Sequence, residues 1–156
     1  MASRFSKWRA AKVSGAIRLR FKTAMVEKIP LFAGLSERES QQIARTVNEI
    51  EIPAGTRLAT VGERGGELFA IVDGEAVVTT KSGRTSALKT GDFFGEMSLI
   101  DGEPRSATVD AASPMRLLVL EQKDFWSVLD ASTSIVRKVM HTLCQRVRKA
   151  EADIQA

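Results

Sequence analysis

Glycine-bearing turns recur at short, regular intervals between Ile50 and Leu120, and this spacing constrains the fold more than any other feature. The turns that set the interval lie at Gly66, Gly74, Gly83, Gly91 and Gly102. They are separated by 8, 9, 8 and 11 residues, and the segments between them are rich in Val, Ile, Leu, Phe and Thr. Such residues favour strands, and this interval is typical of an antiparallel sandwich or roll. The sequence predicts an all-β segment over about residues 50–120.

Two stretches of this segment predict tight connections between strands. "FAIVDGEAVVTT" is interpreted as strand, turn and strand around Asp73-Gly74, and "TKSGRTS" as a hairpin around Ser82-Gly83. Asp-Gly and Ser-Gly suit such turns because glycine adopts positive φ without steric cost.

Helices are predicted on both sides of the β segment. Residues 8–28 lack proline and predict one or two basic helices. Ser36 and Glu39 form a capping-box pattern that predicts a short helix from Glu37 to Val47. After Leu120, "EQKDFWSVLDAS" predicts a short helix, and Ser132 or Thr133 can cap a longer helix that runs to the C-terminus.

The last predicted helix carries an apolar stripe at heptad spacing. Its residues, at successive intervals of 4, 3, 4, 3 and 4, are Val136, Met140, Leu143, Val147, Ala150 and Ile154. Two interpretations stay open, because a/d spacing does not say which surface the stripe meets. The helix either lies on its own β domain or forms the seam of a homodimer.

Composition indicates a globular protein of one domain. The 156 residues are 44% hydrophobic, enough for one domain with a helical appendage. No apolar run approaches membrane-spanning length, so no membrane span is expected. The N-terminal residues lack an apolar h-region, so no secretory signal is expected. A single cysteine fits a reducing compartment, and a cytoplasmic location is expected.

The charge of the chain is unevenly distributed. Residues 1–26 carry +7 and residues 27–156 carry −3, so the main domain itself is a poor candidate for nucleic-acid binding. The basic N-terminal segment is interpreted as a linker helix. Contact with anionic lipid, RNA or another effector, and a mitochondrial transit peptide, are the alternatives.

The sequence offers little for catalysis, and no enzyme activity is predicted. The only histidine is His141, and Cys144 is expected to be a small buried hydrophobe on the last helix. No cluster has metal-ligand spacing, so no metal or cofactor is expected. The chain ends at Ala156, without the further residues that a helix-turn-helix after the long helix requires, so no DNA-binding domain is expected in it.

One stretch, "FFGEMSLIDGEPRSATV" from Phe93 to Val109, suggests a binding site. Gly95 lets the backbone approach a neighbour closely, and one helical turn can follow it. Amide groups at that turn and the Arg105 guanidinium suit a phosphate, whereas the Glu96 carboxylate suits a hydroxyl such as that of a ribose. The alternative is a Glu96–Arg105 pair across a surface loop, worth about 0–1 kcal/mol.

"FGEMSLIDGEPRSATV" resembles the phosphate-binding cassette of the cyclic nucleotide-binding domain family, with bacterial members most similar. That family includes regulatory subunits of cyclic-AMP-dependent protein kinase, the catabolite activator protein and cyclic-nucleotide-gated channels. "IPLFAGLSERE", "IPAGTRLATVGE" and "FAIVDGEAVV" resemble its opening helix, first strand and central hairpin. The resemblance covers about residues 29–154.

The resemblance implies a mainly β fold with flanking helices. This is an antiparallel β-roll, of the double-stranded β-helix or jelly-roll kind, with N-terminal helices and C-terminal B/C-type helices. Residues 1–28 would form the basic segment and residues 29–156 the cyclic nucleotide-binding domain, with a lid or dimer helix over about residues 133–155.

The resemblance also implies a sensor that changes conformation when it binds a 3′,5′-cyclic nucleotide. The implied ligand-binding residues are Gly95, Glu96, Met97, Ser98, Arg105, Ser106 and Ala107. Glu96 would bind the ribose 2′-hydroxyl and Arg105 the cyclic phosphate. Serine at position 106 favours cAMP, with cGMP as the alternative ligand, and Val139, Leu143 or Arg146 would cap the base. The rivals are an interaction module with the same fold and a regulatory fragment of a channel or transcription factor.

Overall fold

The computed structural model of the protein describes residues 18–155, which form two compact units. Residues Val47–Gln122 form a β unit, and residues Arg18–Thr46 with those from Lys123 onward form a helical unit. The predictions for residues 1–17, including their basic helix and its contacts, lie outside the described residues.

The β unit contains eight strands. They are β1 (Asn48–Ile52), β2 (Arg57–Ala59), β3 (Glu67–Asp73), β4 (Ala76–Thr80), β5 (Thr85–Leu88), β6 (Phe93–Phe94), β7 (Ala107–Ala111) and β8 (Met115–Glu121). Within residues 18–155 the α-helices are α1 (Leu19–Glu27), α2 (Glu37–Ala44), α3 (Glu96–Asp101), α4 (Gln122–Ala131) and α5 (Thr133–Gln155). A 3₁₀ turn, Pro30–Phe32, lies between α1 and α2.

The strands form two antiparallel sheets of four, in the orders β1-β8-β3-β6 and β2-β7-β4-β5. Apolar side chains of both sheets meet in one core, in which Phe69, Ile71 and Leu117 are fully buried. The Phe69 and Phe94 rings stack within it, with centroids 4.8 Å apart. The predicted fold, a mainly β roll with flanking helices, is confirmed.

The two predicted hairpins differ in outcome. Around Ser82-Gly83, β4 pairs directly with β5, as predicted. Around Asp73-Gly74 the hairpin is wrong, because β3 pairs with β8 and β6 whereas β4 pairs with β7 and β5. The turn instead carries the chain from one sheet to the other. Gly74 is required there, since its φ is +109° and a Cβ would lie 2.6 Å from the Pro114 carbonyl oxygen.

Two helix ends test the predicted caps. Ser36 and Glu39 form the complete capping box at the start of α2, and the Ser132 hydroxyl accepts the Ile135 N–H at the start of α5. Helix α2 ends at Ala44, earlier than predicted, and the chain turns so that Val47 is buried immediately before β1. Among residues 18–155 no helix has the length and apolarity needed to cross a membrane.

Helix α5 buries a different face from the heptad stripe. Within the helical unit its inward residues are Ile135 and Val139, whereas Met140, Val147 and Ile154 of the stripe are 59%, 57% and 85% exposed. Val136 and Leu143 of the stripe are half-buried, so its own chain covers the stripe only in part. The expectation that Cys144 is buried is wrong, because the helix turns its thiol to the solvent side.

Glu39 joins α2 to α5 within the helical unit. Its carboxylate accepts hydrogen bonds from Lys138 Nζ at 2.6 Å, the Ser134 hydroxyl at 2.7 Å and the Ser36 N–H at 2.9 Å. These donors, Lys138 foremost and then Ser36, lower the Glu39 pKa from its ordinary value of 4.5 to about 2. The ionised carboxylate is therefore more stable in the folded protein than in the unfolded chain.

We expect Glu39→Gln to lower the free energy of unfolding by about 1 kcal/mol at pH 7, because the charged acceptor is lost. A carboxyl whose pKa is lower in the folded state stabilises the protein above its unfolded pKa. The difference from wild type should therefore shrink as the pH falls from 4.5 toward 2. Urea unfolding across this range measures it. Glu37→Gln, an exposed acid of the same helix, is the control, and a pH-independent difference would contradict the assignment.

Candidate functional site

All seven residues that the resemblance assigns to the ligand line one cavity of about 420 Å³ within the β unit. Its first side is the cassette, with Gly95, Glu96, Met97 and Ser98 at the start of α3 and Arg105, Ser106 and Ala107 before and within β7. The opposite wall is mostly apolar and comes from the strands, with Ala59, Val78, Ser86, Leu88, Phe94 and Val109. The cavity therefore has one charged end and one apolar face.

The short helix α3 is anchored at both ends. Glycines in the left-handed conformation, Gly95 and Gly102, flank it, and Leu99 in its middle is fully buried. The Gln122 side chain donates to the Leu99 carbonyl at 3.2 Å, which satisfies one of the acceptors that a helix end leaves open. Gln122 is also the first residue of α4, so the cassette helix is bonded to the start of the following helix.

The backbone of Arg105 is fixed by the glycine-rich segment that precedes β3. Its N–H donates to the Glu63 carbonyl, and its carbonyl accepts the Gly62 N–H, both at 2.8 Å. An isolated bridge between Arg64 and Pro104 extends this contact. These contacts fix the backbone of Arg105 independently of the contacts that its side chain makes.

The Arg105 side chain runs inward rather than toward solvent. It is 8% exposed, and its guanidinium carbon lies 6.0 Å from the centroid of the Phe69 ring. Its Nη2 donates to the Glu67 carboxylate at 2.7 Å and to the Glu67 carbonyl at 3.0 Å. Arg105 is therefore not the exposed residue that a surface-loop pair with Glu96 requires.

Two glycines make room for this guanidinium. A Cβ on Gly65 would lie 2.0 Å from Arg105 Nε, and a Cβ on Gly95 would lie 2.2 Å from the Glu67 carbonyl oxygen and 2.7 Å from Arg105 Nη1. Gly95 also has a φ of +89°, which disfavours any other residue. The close approach predicted at Gly95 is thus present, and its partners are Glu67 and Arg105.

Glu67 occupies an unusual place for an acid. It belongs to the same face of β3 as the core residues Phe69 and Ile71, because side chains two residues apart point to the same side of a strand. Its register partner on β8 is Glu121, which continues the inward row of Leu117 and Val119. Both acids are buried, so the inner row of this sheet ends in two carboxylates, of which that of Glu67 pairs with the Arg105 guanidinium.

Sequence reasoning did not identify Glu67, Gly65 or the strand residues of the cavity wall. A signal for Glu67 was available, since period-two alternation along "ELFAIV" places it in the row of Phe69 and Ile71. The sequence predicted a turn at Gly66 but gave no sign that its neighbour, Gly65, makes room for Arg105.

A second cavity in the β unit, of about 580 Å³, is larger but contains none of the cassette residues. Its polar lining includes Glu51 and Arg116, which pair with each other at 3.1 Å. Within residues 18–155 no group of three or more His, Cys, Asp or Glu side chains could hold a metal ion. The residues that the sequence predicts to bind a ligand therefore lie in the cavity of about 420 Å³ and not in this one.

The sequence of this chain is similar to those of known proteins. The model of the cyclic nucleotide-binding domain matches residues 49–132, more than half of the chain. A cyclic nucleotide-gated potassium channel from Mesorhizobium japonicum is 38% identical over 122 residues, covering 78% of this chain and 34% of the channel. A cAMP-dependent protein kinase regulatory subunit from Aspergillus fumigatus is 31% identical, covering 80% of this chain and 31% of the subunit.

A solved structure shares the fold. The N-terminal domain of a transcriptional regulator from Streptomyces coelicolor A3(2) superposes with a TM-score of 0.74 at 25% identity, covering 83% of this chain and 94% of that one. The fold and the cassette define a nucleotide-binding regulatory domain, and the chain belongs to the cyclic nucleotide-binding domain family. It spans about a third of the length of the curated relatives described above.

We expect Gly65→Ala to lower the free energy of unfolding by about 1–3 kcal/mol, because the added methyl displaces a guanidinium that Glu67 holds. The loss should largely disappear when Arg105→Ala is the background, since the obstructing group is gone. Urea unfolding of the two single variants and the double variant measures this coupling. Gly34→Ala is the control, as its Cβ would meet Thr142 at an ordinary 3.7 Å. Equal losses in both backgrounds would contradict the packing described.

Proposed function

We propose that the domain is a cyclic nucleotide sensor that binds a 3′,5′-cyclic nucleotide in the cassette cavity. The observation that carries the proposal is a buried arginine, Arg105, in the same cavity as the half-buried carboxylate of Glu96. A guanidinium presents a planar fork of donors that suits the cyclic phosphate. A carboxylate repels phosphate but accepts a hydrogen bond from a ribose hydroxyl, so Glu96 is assigned to the 2′-hydroxyl.

The remaining shape of the cavity suits a nucleoside. Val78, Leu88 and Val109 provide an apolar wall away from the charged end, and such a surface favours the flat face of a purine. The backbone groups of Gly95, Met97, Ser106 and Ala107 are assigned to the phosphate end, beside Ser98.

We further propose that cAMP is the preferred nucleotide. Serine at position 106 is the residue that the family resemblance associates with cAMP in bacterial members, and a similar protein is named a cAMP-dependent kinase regulatory subunit. The resemblance associates threonine at this position with cGMP. Serine differs from threonine only by a methyl group, so the preference for cAMP over cGMP is expected to be moderate.

The proposed role is regulatory rather than catalytic. A ligand changes the conformation of a sensor only if it binds one state more tightly than the other. The bond from Gln122 to the cassette helix offers a route for such a bias, since Gln122 begins α4 and the chain continues from there into α5. In a larger channel or transcription factor the same domain would supply the ligand-dependent step.

Calorimetric titration should detect cAMP binding with micromolar or tighter affinity and weaker binding of cGMP. Arg105→Ala should cost about 2–5 kcal/mol of binding free energy, because a buried partner of the phosphate is lost. Arg57→Ala, which removes an exposed arginine paired with Asp110 at 2.8 Å, is the matched control and should bind normally. Absence of heat with both nucleotides would reject the sensor, and near-wild-type affinity of Arg105→Ala would reject the phosphate assignment.

A second candidate function, assembly through α5, is favoured by the exposed apolar stripe. Met140, Val147 and Ile154 recur at heptad spacing on the solvent side, and a second copy of the helix presents a matching seam. This interaction module would operate whether or not a nucleotide binds.

For assembly we expect Val147→Glu to shift a dimer to monomer in analytical ultracentrifugation, because the new charge would be buried in the seam. Gln145→Glu adds the same charge to the same helix outside the stripe and should leave the dimer intact. A wild-type chain that sediments as a monomer at high concentration would exclude this candidate.

A further inference from the structure

We propose that Glu67 positions the Arg105 guanidinium for the ligand phosphate, so that this end of the cavity is assembled before the ligand arrives. The inference rests on the proposed function and adds to it a residue from outside the cassette. Glu67 opens β3 and lies 38 positions before Arg105 in the chain.

Glu67 fixes the guanidinium at two points. Its carboxylate and its backbone carbonyl both accept from Nη2, at 2.7 Å and 3.0 Å. The carboxylate is oriented in turn by the Gly66 N–H, which donates to it at 3.2 Å. Because the guanidinium is planar and rigid, two acceptors on one nitrogen also determine the direction of its other nitrogens.

The orientation places Nη1 beside the cassette. A Cβ on Gly95 would lie 2.7 Å from Nη1, and Gly95 directly precedes α3 and Glu96. Nη2 is turned toward Glu67 and Nη1 toward the start of the cassette helix. Since the carboxylate binds a different nitrogen from the one that faces the cassette, its main effect is to orient Arg105 rather than to compete with a phosphate.

Because the Arg105–Glu67 pair is buried, Arg105 would keep its bond to Glu67 when it binds the phosphate. The side chains of Arg105 and Glu67 are only 7% and 12% exposed, and removing one member of a buried pair leaves an uncompensated charge. Glu121 lies opposite Glu67 in the ladder, and like charges directly opposite each other are destabilising. If Arg105 left Glu67, two buried acids would face each other without the guanidinium. Arg105 therefore has to bind both the phosphate and Glu67.

The test compares cAMP affinity in Glu67 variants. Glu67→Gln keeps a hydrogen-bond acceptor but removes the charge, and we expect it to weaken cAMP binding about tenfold or more. Glu67→Asp keeps the charge on a shorter side chain and should bind with intermediate affinity. Glu75→Gln, an exposed acid in the turn after β3, is the control and should match wild type.

A double-mutant cycle separates positioning from a general structural role. Arg105→Lys keeps a positive charge but has no fork to orient, so Glu67→Gln should cost much less in that background than in wild type. Equal losses in the two backgrounds would mean that Glu67 acts only through stability and would overturn the inference. Thermal unfolding of each variant accompanies the titrations.

The outcomes distinguish the inference from the proposed function beneath it. If wild type binds no cyclic nucleotide, the proposed function is rejected and the inference with it. If wild type binds and Glu67→Gln binds equally or more tightly, only the inference is overturned. Should Glu67→Gln fail to fold, Glu67→Asp decides, and wild-type affinity of that variant would overturn the inference.

Discussion

The buried ion pair between Arg105 and Glu67 is the interaction on which the rest of the site depends. A guanidinium that is removed from water needs a charged partner and hydrogen-bond acceptors, and Glu67 supplies both through its carboxylate and its carbonyl. The room for it comes from Gly65 and Gly95, at which a side chain would overlap Arg105. Two chain segments that are distant in sequence, the loop into β3 and the cassette, are thereby held together.

At the charged end of the cavity the positive charge of Arg105 is balanced by the Glu67 carboxylate of the same chain. Arg105 is fixed through its backbone by Gly62 and Glu63 and through its side chain by Glu67, so the proposed phosphate site would need little reorganisation on binding. Preorganised sites bind more tightly because fewer groups lose freedom when the ligand arrives. The conformational change of the proposed sensor would then lie outside this end of the cavity. The hydrogen bond from Gln122, the first residue of α4, to α3 connects the cassette to the start of that helix.

Local patterns were predicted well where neighbouring residues suffice to determine the structure. The regular glycine turns predicted an antiparallel sandwich or roll, and the structure has two antiparallel sheets. The cap predicted at Ser36 is present, and of the two candidates Ser132 and Thr133 it is Ser132 that caps α5. Long-range pairing was less predictable. The Asp73-Gly74 turn looks like a hairpin locally, yet its flanking strands pair in different sheets. Likewise, the apolar spacing of α5 does not reveal which face is buried, because Ile135 and Val139 compete with the heptad stripe for that role.

The sequence by itself identified the cassette, through its resemblance to the family, because its residues lie within a single stretch of the chain. Only the tertiary structure decided what Arg105 contacts. Its partner, Glu67, comes from a strand 38 residues earlier, and the two meet because sheet register and the Gly62–Gly66 loop bring them together. The position of Glu67 in an otherwise apolar row of β3 is explained only by its contact with the Arg105 guanidinium. Burial makes that pairing obligatory, and burial is a property of the folded chain rather than of any local segment.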